Sequence, residues 1–390
     1  MLEIQSVVDV VFDIHAKSTV AIYAVDVLTA ANGVLRYGVI GTGMMGVEHI
    51  RNLLELPQAE VVAICDTNRE SLRRAAELLR GRNVQQFSDY RDVFGMKDID
   101  VLVIATPNHT HVDIVLDALD TPCHLLIEKP LCTSVSDCLR VAEKELAVGF
   151  TDRVVWVGLE YRYMPVTAEL LLRVASREVG DVKMISIREH RFPFLKKVED
   201  WNRFNKNTGG TLVEKCCHFF DLMCIAADSE PKQVFASGAQ SVNHLEEIYD
   251  GLTPDILDNA FVIVDFENGV RAHLDLCMFA EASKNEQEIC VVGELGKMEA
   301  FVSESTIRVG LRAQGIGAFS ESVVSESSPY SGFHHGASYW EHVRLQEAIW
   351  SRHKPEVSLR DGLRSVAIGA AAQISIAENR VVSISEVMDV

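Results

Sequence analysis

Three groups of residues in this chain have the types and spacing for chemistry. Gly41-Thr42-Gly43-Met44-Met45-Gly46 carries the G-x-G-x-x-G spacing. Glu128-Lys129-Pro130 follows an apolar run about ninety residues later. Glu214 and His218 stand four residues apart, with Asp221 three further on. The glycine pattern is a phosphate cradle: Gly41 allows the tight turn, Gly43 lets backbone approach a pyrophosphate, and Gly46 allows close helix–strand packing. A lysine and a histidine with an acid one turn before it suit polarisation of an oxygen and removal of its proton.

Context decides whether the glycine pattern is real. Leu35 to Ile40 is short, apolar and rich in strand formers, as a buried parallel strand requires. Gly46 to Leu56 then places Val47, Ile50, Leu53 and Leu54 on one helical face. A helix opening there offers free N–H groups and a partial positive charge to phosphates. A second apolar run from Glu60 ends at Asp66, twenty residues after Gly46. An acid there accepts ribose hydroxyls and repels a 2′-phosphate, which favours NAD. Arg69 is close enough to hold that phosphate, so NADP stands as the alternative.

The elements that must position these groups change character along the chain. Glu70–Arg80, His111–Leu119 and Ser136–Val148 read as helices. Between them, Val101–Ala105, Cys123–Ile127 and Val154–Gly158 read as strands. That alternation means a parallel sheet with helical crossovers. Asp66, Thr106-Pro107-Asn108 and Lys129 all follow strands, so all fall on the carboxyl edge where ligands gather in such sheets. After Gly180 the pattern turns to long alternating strands. Asn259–Phe266 and Val270–Phe279 are joined by Asn268-Gly269, a hairpin signal. Glu288–Val292 and Lys297–Val302 flank another turn, and helices are expected over 335–350 and 360–379. The expected fold class is α/β: an N-terminal Rossmann domain over 34–158, then a C-terminal α+β domain over 159–390 with a mainly antiparallel open sheet. Residues 1–33 form an extension whose structure the sequence leaves open.

From Thr211 the chain reads as one helix after Gly209-Gly210, so Glu214, His218 and Asp221 are expected to share a face. Cofactor contacts are expected from Gly41, Gly43, Met44, Met45, Gly46, Asp66, Arg69, Thr106, Pro107, Asn108, His111, Glu128 and Lys129. Glu189-His190-Arg191 ends a strand, Trp201-Asn202-Arg203 precedes the glycine pair, and His334-His335 precedes a helix. Polar and aromatic side chains of this kind suit a hydroxyl-rich ligand. Arg162, His190, Trp201, Arg203 and His335 are the substrate-binding candidates.

Bulk properties exclude other classes. The formal charge of −19 attracts neither nucleic acid nor an anionic membrane surface. No apolar stretch is long enough to span a bilayer, and residues 1–33 lack the basic start of a secretory signal. The nine cysteines are scattered, odd in number and without a C-x-x-C pair, which fits reduced thiols in the cytoplasm. Cys216-Cys217-His218 with Cys224 matches no common zinc spacing, so no metal is expected.

Taken together, Gly41-x-Gly43-x-x-Gly46, Thr106-Pro107-Asn108-x-x-His111, Glu128-Lys129-Pro130, Arg162 with Pro165, and Gly209-Gly210 leading to His218 and Asp221 resemble the Gfo/Idh/MocA family of nicotinamide-dependent oxidoreductases. The stretch from Gly158 to Pro165 and Glu214-Lys215-Cys216-Cys217-His218 resembles a branch with plant and microbial members. The resemblance implies oxidation or reduction of sugars, cyclitols or related polyols, and assembly as a homodimer or homotetramer. It assigns the catalytic lysine to Lys129 and the catalytic histidine to His218. The family's usual aspartate four residues earlier is replaced by the longer Glu214. Two other readings remain open: a glycosidase using bound NAD for transient oxidation and elimination, and a non-catalytic sensor of a dinucleotide.

Overall fold

The computed structural model describes residues 33–325 and 328–389. The reading of residues 1–33 therefore lies, apart from Gly33, outside the described residues.

The first half alternates strand and helix. β1 (Leu35–Ile40), α1 (Met44–Leu54), β2 (Ala59–Cys65), α2 (Arg69–Leu78), β3 (Gln85–Phe87), α3 (Tyr90–Phe94), β4 (Val101–Ile104), α4 (His111–Ala118), β5 (His124–Glu128), α5 (Val135–Val148) and β6 (Val155–Gly158) follow in turn. The six strands form one parallel sheet in the order β3-β2-β1-β4-β5-β6. The order reverses between β1 and β4, which opens a crevice at the carboxyl ends of those strands. β4 and β6 are buried along their length, as strands covered on both faces must be.

The second half opens with α6 (Pro165–Ala175) and β7 (Val182–His190). Two short helices, α7 (Asn205–Thr208) and α8 (Thr211–Glu214), lead into α9 (Cys217–Ala227). Then come β8 (Pro231–Ala239), β9 (Asn259–Phe266), β10 (Arg271–Cys277), β11 (Gln287–Gly293), β12 (Gly296–Phe301), β13 (Thr306–Leu311) and β14 (Ser320–Val323). α10 (Ala337–Ser351), α11 (Leu359–Glu378), β15 (Val382–Ser383) and α12 (Ile384–Met388) complete the chain. The nine strands form one sheet, β14-β13-β12-β11-β7-β10-β9-β8-β15, antiparallel except where β7 lies parallel to β10. The Asn268-Gly269 turn joins β9 to β10 as its residues require, with Gly269 at φ 86°.

The two halves share their packing. α10 lies on α1, and α11 lies on α5 and β6. Trp156 of β6, fully buried, donates to Glu341 of α10 at 3.2 Å. The C-terminal helices thus clamp the first sheet to the second.

Candidate active site

β1 delivers the chain into the glycine loop. Gly41 adopts φ 87°, and a Cβ there would sit 2.5 Å from the Ala105 carbonyl oxygen. A Cβ on Gly46 would sit 1.9 Å from the Gly41 oxygen. Gly43 differs, because a Cβ there would meet nothing within 4 Å; this is the open side of the turn. α1 starts at Met44 with no side-chain cap and no acid in its first turn, so its N–H groups remain available. Asp66, just past β2, accepts from Thr42 N at 2.7 Å, Thr42 Oγ1 at 3.0 Å and Asn68 N at 2.7 Å. It therefore locks the glycine loop to the end of β2. Arg69 is exposed at the start of α2. An uncapped helix start beneath an open glycine, with an acid at the next strand end, fits the pyrophosphate and ribose of a dinucleotide.

Three expected cofactor contacts prove to be committed within the protein. His111 is fully buried, with Nδ1 2.9 Å from Pro130 O and Nε2 3.1 Å from Thr106 O. Its ring ties the loops after β4 and β5 together. Asn108 donates from Nδ2 to Thr208 O at 3.3 Å, linking the two halves. Glu128 Oε1 lies 2.8 Å from His49 Nε2, and Oε2 accepts from Lys129 N at 3.1 Å. His49 Nδ1 in turn lies 3.0 Å from His342 Nε2. Burial opposes charge on Glu128, but the His49 hydrogen bond and the Lys129 ammonium hold its carboxyl below the usual range. These residues position the loops rather than present free groups.

The segment from Thr211 is not one regular helix, which corrects the expected shared face. Cys216 N reaches back five residues to Thr211 O at 3.4 Å, and α9 restarts at Cys217. Such a bulge changes the register between Glu214 and His218. The Glu214 carbonyl accepts from Lys129 Nζ at 3.2 Å. Its carboxylate turns to Lys197, with Oε1 3.2 Å from Nζ, and Oε2 is buried without a partner. Glu214 thus anchors Lys129 and makes no hydrogen bond to His218.

His218 is 2 % exposed, stacked on Tyr161 with ring centroids 3.8 Å apart and planes 6° from parallel. Burial, reinforced by the Lys129 and Lys215 ammonium groups, drives its pKa well below the ordinary value. The ring is therefore neutral near pH 7 and can accept a proton. Lys129 behaves oppositely. Burial works against its charge, but the Cys217 thiol and the Glu128, Glu214 and Glu160 carboxyls raise its pKa. A lasting cation and a neutral imidazole thus share one crevice.

The acid closest to His218 is one that the residue spacing does not reveal. Glu160 Oε1, in the turn after β6, lies 3.9 Å from His218 Nε2 and 3.3 Å from His334 Nδ1. Lys215, also buried, donates to Tyr161 OH at 2.6 Å and pairs with Glu189 at 2.9 Å. Burial and the nearby Arg191 lower its pKa, with Glu189 resisting. Glu160 and Tyr161 follow β6 on the same carboxyl edge as Lys129, and that position was the available signal. Lys215 showed only as a charge within an apolar stretch.

The substrate candidates divide. Trp201 lines the region: its ring sits 4.6 Å from Lys197 Nζ and 6.3 Å from the His109 ring. Arg162 is a correction, because it is buried in an ion pair with Asp221, donating from Nε at 2.6 Å, and also binds the Glu356 carbonyl at 2.7 Å. A guanidinium so enclosed holds helices rather than ligand. Arg203 is likewise buried and donates to Glu247 at 3.0 Å. His190 pairs with Asp275 at 3.1 Å. Alternation along β7 turns His190 away from the face that carries Ile185, Ile187 and Glu189, so Glu189 is the residue that meets Lys215. Of the adjacent histidines, His334 reaches Glu160, while His335 takes a left-handed turn at φ 52°.

Comparison with known proteins bears on the family and the fold. Residues 35–157 fit the family model described as the NAD-binding Rossmann fold of the Gfo/Idh/MocA oxidoreductases, and residues 173–384 fit the C-terminal α/β domain of the same family. The chain belongs to the Gfo/Idh/MocA oxidoreductase family. It is an NAD-binding oxidoreductase of two domains. A myo-inositol 2-dehydrogenase of Thermotoga maritima is 27% identical over 360 residues, covering 91% of this chain and all of the relative. The oxidoreductase YrbE of Bacillus subtilis is 27% identical over 351 residues, covering 89% of this chain and 96% of the relative. Among solved structures, a levoglucosan dehydrogenase in complex with NADH and levoglucosan superposes with a TM-score of 0.79 at 20% identity, covering 90% of this chain and 99% of that one. No helix among the described residues is long and apolar enough to cross a membrane.

Proposed function

We propose that this Gfo/Idh/MocA oxidoreductase oxidises a secondary hydroxyl of a cyclitol or sugar with NAD, or reduces the matching ketone. One observation carries the substrate class. Beside the Lys129 ammonium, Glu214 Oε2 is a buried carboxylate oxygen without a partner. A buried group left unpaired costs about 1–3 kcal/mol. A ligand with several adjacent hydroxyls supplies a donor to it beside the oxygen that Lys129 polarises, whereas an apolar alcohol leaves it unsatisfied. The relative named as a myo-inositol 2-dehydrogenase acts on such a compound.

The geometry suggests a division of labour. Gly41, Gly43, Gly46 and the start of α1 hold the pyrophosphate, with Asp66 toward the ribose. When bound, NAD supplies the hydride acceptor. Lys129 polarises the substrate oxygen and stabilises negative charge developing on it. Neutral His218 takes the hydroxyl proton at Nε2.

Assaying NADH formation across cyclitols, aldoses and non-polyol alcohols tests the reading. The expected result is turnover with at least one cyclitol or sugar and none with the simple alcohols, with Glu214→Gln raising KM. Bound NAD without oxidation of any polyol contradicts it. Glycoside cleavage with no net NADH favours the glycosidase reading instead.

A further inference from the structure

His218 is 2% exposed, so a proton it takes from substrate needs a way out. Glu160 Oε1 is the atom shared by two imidazoles, 3.9 Å from His218 Nε2 and 3.3 Å from His334 Nδ1. Glu160 is 1 % exposed, and neither of its oxygens has a hydrogen-bond partner. A buried carboxyl left so bare is held for a ligand or a proton, since as a fixed charge it would be strongly penalised. His334 is different. Its side chain is 20% exposed, and it sits on Tyr330–Gly336, a strap of the second half that leads into α10. Glu48 of α1 fastens that strap, accepting from Tyr330 OH and from Phe333 N at 3.1 Å each. The strap thereby carries one imidazole from solvent to the buried acid.

We propose that Glu160 and His334 form the exit path for the proton that His218 removes from the substrate hydroxyl. This rests on the dehydrogenase reading above. During oxidation the substrate O–H bond breaks and its proton binds His218 Nε2, while the hydride leaves with the nicotinamide. The imidazolium passes the same proton to Glu160 Oε1, which restores neutral His218. Glu160 gives it to His334 Nδ1, and His334 releases a proton from Nε2 to water. Reduction of a ketone runs the path backward, so no other oxidant or reductant is needed. Glu160 and His334 act through His218 and do not touch the reacting carbon.

The electrical setting suits a carrier. Facing Glu160 are Glu128 and Lys129 after β5, Lys215 and His218 on the bulged segment, Glu341 on α10 and His334 on the strap. Burial, aided by Glu128, pushes the Glu160 carboxyl up to about 8. A carboxyl that titrates near the working pH can both take and give a proton, while His334, held down to about 3 by burial, carries it only in passing.

The test uses the full chain and the polyol that turns over best. Wild type, Glu160→Gln and His334→Ala are compared for NAD binding, first-turnover NADH formation and steady-state turnover. Expected are unchanged NAD binding in both variants and steady-state turnover lowered about tenfold or more. His334→Ala should keep a first-turnover rate close to wild type, and added imidazole should restore its steady-state turnover. A merely structural role would not respond to buffer. The rise of oxidation rate with pH toward about 8 should disappear in Glu160→Gln. Wild-type turnover in both variants, or a His334→Ala loss untouched by imidazole, overturns the relay. If wild type oxidises no polyol, the dehydrogenase reading falls first, and this inference falls with it. If Glu160→Gln does not fold, His334→Ala with imidazole still decides.

Discussion

The glycine loop proposed to hold the nucleotide is six contiguous residues from Gly41 to Gly46, whereas the polar cluster around Lys129 draws on chain segments near residues 129, 160, 189, 215 and 334. The first end works through backbone: Gly41 and Gly46, which admit no side chain, an uncapped helix start and one aspartate holding the loop. The second works through buried side chains whose pKa values are pushed apart, Lys129 and Glu160 upward and His218 and His334 downward. Backbone sites tolerate distant change, because their geometry is local. Buried charge clusters do not, since removing one member leaves another uncompensated.

Replacing His218 by Ala is expected to produce the largest effect, a fall in turnover of about 10²–10⁴ with NAD affinity intact. Fluorescence titration beside steady-state kinetics checks both. If NAD affinity falls in step with turnover, the two ends are not separable. Arg162→Met should cost about 3–5 kcal/mol of stability by stranding the Asp221 carboxylate, read as a lower urea midpoint. An unchanged midpoint would return Arg162 to the substrate candidates. Gly43→Ala and Gly46→Ala divide the glycine loop itself. The former should weaken NAD at unchanged melting temperature, and the latter should lower melting temperature because its Cβ strikes the Gly41 carbonyl. Asp66→Ser should weaken NAD about tenfold, near 1.4 kcal/mol, and shift preference toward NADP.

A smaller effect concerns pH. The folded Glu160 carboxyl holds its proton up to about 8, above its ordinary 4.5. Between those values the unfolded chain binds fewer protons, so this group's contribution to stability falls as pH rises across that window. In Glu160→Gln that slope should flatten, and denaturation midpoints at pH 5 and pH 8 would show it.

The same contrast explains what the sequence could convey. The β1–loop–α1 unit, the alternating strands and the Asn268-Gly269 hairpin depend on neighbours in the chain, so periodicity and turn chemistry reveal them. Lys129 and His218 were legible because each follows a local signal: a strand end for one, a glycine pair for the other. Their partners were not. Arg162 meets Asp221 across 59 positions, and nothing local marks that pairing. The i, i+4 spacing of Glu214 and His218 misled because the bulge at Cys216 breaks the period it assumes. His190 and Glu189 are neighbours on β7, and only the alternation of the strand puts Glu189 on the Lys215 face. The parallel neighbours β7 and β10 are far apart in the chain, so neither sequence pattern marks the contact.

The proposed meeting of Lys129 and His218 over one substrate oxygen is tested most directly by a double-mutant cycle on turnover with Lys129→Met and His218→Ala. Groups that act on the same atom in one transition state do not contribute independently. The doubly substituted protein should turn over about as slowly as the slower single variant. A loss equal to the product of the two single losses would contradict the convergence.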